Sequence, residues 1–183
     1  MESLRGFLKS HGGSEPAKAA QAMLDEIAQA ELDTLMETLA ADPKPAQRQA
    51  AAVKLRKFVT TWPDAAATVT VRQTLDAWSD EAWAELGLSL PERTTPQQRA
   101  ALAGKCRKFV ADWPGSSGER AALALLGTLG QAKLDDALAR LPANLTPDQG
   151  RLAAQQLRMM RKRWEATPAA GFFDAAITRL EQP

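Results

Sequence analysis

Between Pro45 and Trp62 the apolar residues Ala51, Leu55, Phe58, Val59 and Trp62 fall three or four positions apart, the spacing that places side chains on one face of an α-helix. Polar and charged residues fill the positions between them. No segment of the chain sustains the alternation expected of a strand, so the pattern predicts an all-α protein.

The pattern also repeats. Pro45–Pro63 and Pro96–Pro114 match without a gap at 12 of 19 positions. The identities include Gln47/Gln98, Arg48/Arg99, Lys54/Lys105, Arg56/Arg107, Lys57/Lys108, Phe58/Phe109, Val59/Val110 and Trp62/Trp113. A further step of 51 reaches Pro147, Gln149, Arg158 and Trp164, and a step back from Arg56 and Phe58 reaches Arg5 and Phe7. This self-similarity predicts one helical-repeat domain over 1–183, with units of about 4–54, 55–105 and 106–156 and a partial unit at 157–183.

Local signals mark where the long helices start and stop. Thr95-Pro96-Gln97-Gln98 and Thr146-Pro147-Asp148-Gln149 put threonine at the N-cap, proline in the first turn and glutamine three residues after the cap. The corresponding Lys44-Pro45-Ala46-Gln47 lacks the hydroxyl cap. At the other end, Trp62-Pro63 and Trp113-Pro114 stop the helix, because proline has no amide hydrogen and disfavours helix in the residue before it. Two shorter helices are expected to follow, at about 66–78 and 80–88 in one copy and 117–129 and 131–140 in the next. Their apolar positions stay in register: Leu24, Leu75, Leu126 and Ile177; Leu32, Trp83 and Leu134; Leu39, Leu90 and Leu141.

About three helices per unit, none able to cover its apolar stripe alone, predict stacked 51-residue repeats forming a short α-solenoid or a compact helical bundle. The plan resembles armadillo- and HEAT-type repeats in architecture only.

Composition narrows the chemistry. The 23 Lys and Arg and 22 Asp and Glu nearly cancel, so any affinity for a charged partner must come from local segregation. The longest charge-free stretch, Ala121–Ala132, is far shorter than the roughly 20 apolar residues of a membrane span. The N-terminal residues carry no unbroken apolar segment of the kind a signal peptide needs. The single cysteine, Cys106, has no internal disulfide partner. A cytoplasmic protein with no membrane association is the expectation.

Catalytic raw material is sparse. The one histidine, His11, occupies the repeat position of the tryptophans and reads as a helix end. Cys106 aligns with Leu55 and Leu157 and reads as a small buried residue, although Lys105, Arg107 and Lys108 beside it are the neighbours that would activate an exposed thiol. There is no Cys/His metal spacing, and neither a Walker-type loop nor a GxGxxG turn, so no cofactor or metal is expected. Gly115-Ser116-Ser117-Gly118-Glu119 reads as a capped helix start rather than an anion loop. The carboxylate pairs Asp25-Glu26, Asp80-Glu81 and Asp135-Asp136 leave an enzyme with a carboxylate-based site as a distant alternative.

Charge segregation is the informative feature. The segments 45–62, 96–113 and 147–164 hold 13 of the 23 basic residues and two of the 22 acidic ones. Lys54, Arg56, Lys57, Lys105, Arg107, Lys108, Arg158, Arg161, Lys162 and Arg163 are therefore the candidate binding residues. If they face outward together they form a basic ladder for nucleic acid; the competing account pairs them with neighbouring acidic helices. Lys54 and Arg56 lie about 200° apart around the helix, so one flank of the ladder faces away from the other. Trp62, Trp113, Trp164, Trp78 and Trp83 read as core rather than as base-stacking platforms. Met159-Met160, in place of Lys57-Phe58 two units earlier, marks a diverged terminal unit or an adaptable contact surface. A non-enzymatic interaction module with a protein partner is the leading expectation, with nucleic acid the alternative.

Overall fold

Pro45, Pro96 and Pro147 each open a long helix, 51 residues apart. The computed structural model describes residues 2–39, 43–91 and 93–182. These form eight α-helices: α1 (Glu2–His11), α2 (Glu15–Glu37), α3 (Pro45–Thr61), α4 (Ala67–Leu86), α5 (Pro96–Asp112), α6 (Ser117–Leu138), α7 (Pro147–Arg161) and α8 (Ala169–Glu181). No strand occurs among the described residues.

The starts of α5 and α7 are reciprocal caps. The hydroxyls of Thr95 and Thr146 accept from the amides of Gln98 and Gln149 at 3.2 and 3.3 Å. The glutamine side chains accept in turn from the threonine amides at 2.8 and 2.9 Å. At α3 lysine has no acceptor to offer, and only the return bond remains, from the Lys44 amide to Gln47 Oε1 at 2.8 Å. The Ser116 hydroxyl caps α6 by accepting from the Glu119 amide, and Gly115, at φ 78°, makes the turn that leads to it. Where proline follows tryptophan, α3 and α5 end at Trp62 and Trp113. Trp164 lacks that proline, and α7 runs on into one 3₁₀ turn, Lys162–Trp164.

One expectation is corrected. The segments 66–88 and 117–140 each form a single helix, not two, so each 51-residue step holds two helices rather than three. Ser79-Asp80 contains no helix breaker, and the buried Ser79 hydroxyl finds its partner within the helix, donating to the Asp76 carbonyl one turn back at 2.8 Å, so α4 continues through it. Gly130 is weakly helix-forming, yet its missing side chain is what α6 needs there: a Cβ would stand 2.2 Å from Ala169 Cβ and 3.0 Å from the Trp164 ring.

The backbone divides into two compact units, Met1–Ser79 and Asp80–Pro183, with the division inside α4. In the first, α2 packs against α1 and α3, burying Leu24, Ala28 and Leu32 from α2 and Ala52, Leu55 and Phe58 from α3. In the second, α5 packs on α6, and α8 packs on both α6 and α7. Its core gathers Cys106, Leu126, Leu129, Leu157, Phe173 and Ile177. Burying a side chain such as Phe173 contributes about 1.5–3 kcal/mol. Trp83 meets Phe109 edge to face at 5.1 Å.

Several residues in register share environments, although Trp83 is half-buried where Leu32 and Leu134 are buried, and His11 is exposed where the tryptophans are buried. Trp62, Trp113 and Trp164 are buried, as are Leu24, Leu75, Leu126 and Ile177. Leu39, Leu90 and Leu141 are all half-buried. Each tryptophan carbonyl accepts a hydroxyl from the segment that follows: Thr68 on Trp62, Ser116 on Trp113 at 2.7 Å and Thr167 on Trp164 at 2.7 Å. A polar group left exposed by the end of the helix is thereby satisfied where water is excluded.

Gly130→Ala is expected to lower the midpoint of chemical denaturation despite alanine's better helix propensity, because overpacking of about 1–3 kcal/mol exceeds a propensity gain of up to about 1 kcal/mol. Gly104, with open space around it on exposed α5, is the control, and Gly104→Ala should raise the midpoint. Equal responses at the two sites would contradict the close approach of α6 to Ala169.

Candidate functional site

Several side chains of the catalytic types have structural partners. His11 ends α1 and stacks on Phe7 with centroids 4.6 Å apart. Cys106 is fully buried, and that burial pushes its thiol above the ordinary value, outweighing the lowering by the Arg107 charge; it is core and not an activated nucleophile. Asp25 accepts from the Ala66 amide at 3.0 Å, just before α4, and Asp80 accepts from the Ser117 hydroxyl at 2.6 Å. Asp135 accepts from Gln131 at 2.8 Å, and Asp136 pairs with Arg99. Among the described residues, no group of three or more His, Cys, Asp or Glu is placed to hold a metal ion. No described helix is long and apolar enough to cross a membrane.

The ten candidate basic residues separate into two sets. Lys108 pairs with Asp112 at 2.7 Å, Arg158 with Glu181 at 2.5 Å, and Arg161 with Asp174 through bonds of 2.5 and 3.0 Å that raise the Arg161 pKa. Arg107 folds back, donating to the Arg163 carbonyl at 3.0 Å with its guanidinium 4.8 Å from the Trp164 ring centroid. Arg5, in the same repeat register, does the same 102 residues earlier: it donates to the Thr61 carbonyl and lies 5.7 Å from the Trp62 ring centroid. Arg56 is half-buried. Lys54, Lys57, Lys105, Lys162 and Arg163 are exposed and, among the described residues, make no ion pair within 4.0 Å.

The second unit contains a groove of about 480 Å³ lined by α5, α6, α7 and the 3₁₀ turn that follows α7. From α5 come Pro96, Arg99, Ala100, Ala103 and Arg107, which share one helix face at spacings of three and four. Facing them, α7 and its 3₁₀ extension supply Gln156, Met159, Met160, Arg163 and Trp164, while Leu129 and Lys133 rise from α6. Met159 is 62% exposed, and Leu152, two turns before it on the same face, is 57% exposed. Four cations therefore rim an apolar floor, with no carboxylate in the lining. Arg99 is tied to Asp136 and to the Thr94 carbonyl, whereas Lys133 and Arg163 make no ion pair among the described residues.

The ladder residues Arg107 and Arg163 thus meet in one site. Sequence reasoning missed Arg99 and Lys133. Arg99 was visible only as an identity with Arg48, and the positions one and two repeats before Lys133 are Ala82 and Glu31. In the first unit that glutamate accepts the Trp62 indole N–H at 2.8 Å, a bond that lysine cannot accept. Compared with known protein families, curated proteins and solved structures, the chain matches none.

Arg107→Ala should cost about 1–2 kcal/mol of stability through its carbonyl bond and its contact with the indole face. Lys105→Ala, two residues away, should fall within about 0.5 kcal/mol of the parent. Urea denaturation of both checks this, and an Arg107 variant as stable as the Lys105 variant would deny Arg107 its packing role. Cys106 should react slowly with a thiol-specific disulfide reagent at pH 8 and at once after unfolding; rapid reaction of the folded chain would place the thiol at the surface.

Proposed function

We propose that this chain is a non-enzymatic helical-repeat interaction module that binds another protein through the groove between α5 and α7. The groove carries this reading: an open apolar floor with a largely exposed methionine, edged by polar side chains, is the composition of a binding surface rather than of a core. Methionine suits such a surface because its flexible thioether adapts to the shape of the partner. In the same reading the 51-residue units stack as a short α-solenoid. The arginine clasp supports that architecture, since Arg5 on Trp62 and Arg107 on Trp164 use the same sequence offset of 57.

A second reading, nucleic-acid binding through the long helices, draws on the exposed and unpaired Lys54, Lys57, Lys105 and Lys162. The ion pairs of Lys108, Arg158 and Arg161 favour the protein reading, because these rungs already have carboxylate partners.

Ala100, exposed on the wall of the groove, offers the test. A protein captured from lysate of the native cell by the parent chain should be lost with Ala100→Trp, which fills the groove, while the thermal melt stays unchanged. Identical capture by both chains would reject the groove. A mobility shift of generic DNA or RNA at low salt that disappears in a Lys105→Glu, Lys162→Glu variant would instead favour the second reading.

A further inference from the structure

The composition of the groove specifies its occupant. We infer that it receives an acidic amphipathic helix of a partner protein, with one or two bulky apolar side chains against Met159, Met160 and Ala100 and carboxylates against Lys133, Arg163 and Arg107. The inference rests on the proposed protein-binding reading and adds the chemistry of the partner.

Three observations lead there. The wall of α5 from Pro96 to Arg107 spans about 17 Å at 1.5 Å per residue, the length of roughly three turns of a partner helix. A ligand with one charged end, such as a fatty acid, would answer only one of Lys133, Arg163 and Arg107. The positive charge is also unbalanced where it matters: Lys133 and Arg163 make no ion pair among the described residues, and no carboxylate lines the groove. Finally, the floor is aliphatic and thioether as much as aromatic, which suits leucine or phenylalanine anchors laid into a groove. Successive nucleobases would call for a row of aromatic faces, and Trp164 is the one aromatic residue in the lining.

The experiment uses the full chain and three fluorescent helical peptides of about twelve residues, matched to that span. All carry Leu and Phe on one face; the flanking positions are Glu in the first, Gln in the second and Lys in the third. Anisotropy titration should show the Glu peptide binding at least roughly tenfold tighter than the Gln peptide and weakening as salt rises, with the Lys peptide not binding. A Lys133→Glu, Arg163→Glu variant should lose the Glu peptide by a similar factor and gain the Lys peptide, with unchanged circular dichroism. Lys54→Glu, Lys57→Glu on α3 should leave affinity within about twofold.

Equal binding of the Glu and Gln peptides would overturn the charge inference. Equal losses from the groove and α3 variants would reduce the effect to diffuse electrostatics and overturn it too. If RNA displaces the Glu peptide and shows the same sensitivity to the groove variants, the partner class is wrong. Should none of the peptides bind while groove-dependent capture from lysate persists, this inference fails and the protein-binding reading stands; if capture is also insensitive to Ala100→Trp, both fail.

Discussion

Burial of a tryptophan at the end of each long helix is the constraint on which the rest of the structure depends. A helix that ends inside a protein leaves carbonyls without partners, and an indole is too large to leave a gap beside it. Both demands are met together: each indole is buried, and a hydroxyl from the following segment takes its carbonyl. At Trp62 and Trp164 an arginine covers the ring face and donates to the preceding carbonyl, so one cation fixes both the side chain and the backbone of the helix end. The absence of Cβ at Gly130 then lets α6 reach Trp164 and Ala169.

This geometry changes the meaning of the basic helices. The arginine at positions 5 and 107 of the repeat register is a packing residue, while Lys54, Lys57, Lys105 and Lys162 are exposed and make no ion pair among the described residues. Exposed pairs such as Lys108–Asp112 contribute at most about 1 kcal/mol, too little for stability to be the main reason for segregating 13 cations onto three segments. The proposed binding groove rests on that comparison, with unpaired cations at the rim of an apolar surface serving recognition in that proposal.

The α7 side of the proposed groove belongs to a less repetitive part of the long-helix register. Where α3 has Lys57 and Phe58, α7 has Met159 and Met160; where α2 has Glu31 beneath a tryptophan, α6 has Lys133. The substitutions leave Trp164 buried as Trp62 is, but move the site from an indole–carboxylate bond toward an open cationic surface. Divergence therefore spared Trp164 and the α5 side of the groove, where Pro96, Arg99, Ala103 and Arg107 repeat Pro45, Arg48, Ala52 and Arg56, and altered the α6 and α7 sides.

The all-α class, the starts of α5 and α7, the proline stops of α3 and α5 and buried positions such as Leu55, Phe58 and Trp62 were legible in the sequence because each depends on residues within a turn or two of one another, whereas Val59, Trp78 and Trp83, read as core, are half-buried. Thr95 with Gln98 and Phe58 with Trp62 state their roles locally. The splitting of α4 and α6 was misjudged because a glycine or a serine within a helix is tolerated or not according to what packs against it. The groove lay further from view: α5, α6 and α7 each supply part of it, and Arg99, Lys133 and Met160 line one groove only once these helices have packed. Periodicity fixes which face of a helix is apolar, but whether a cation on its flank meets a carboxylate, an indole or open solvent depends on distances across helices, and those exist only in the folded chain.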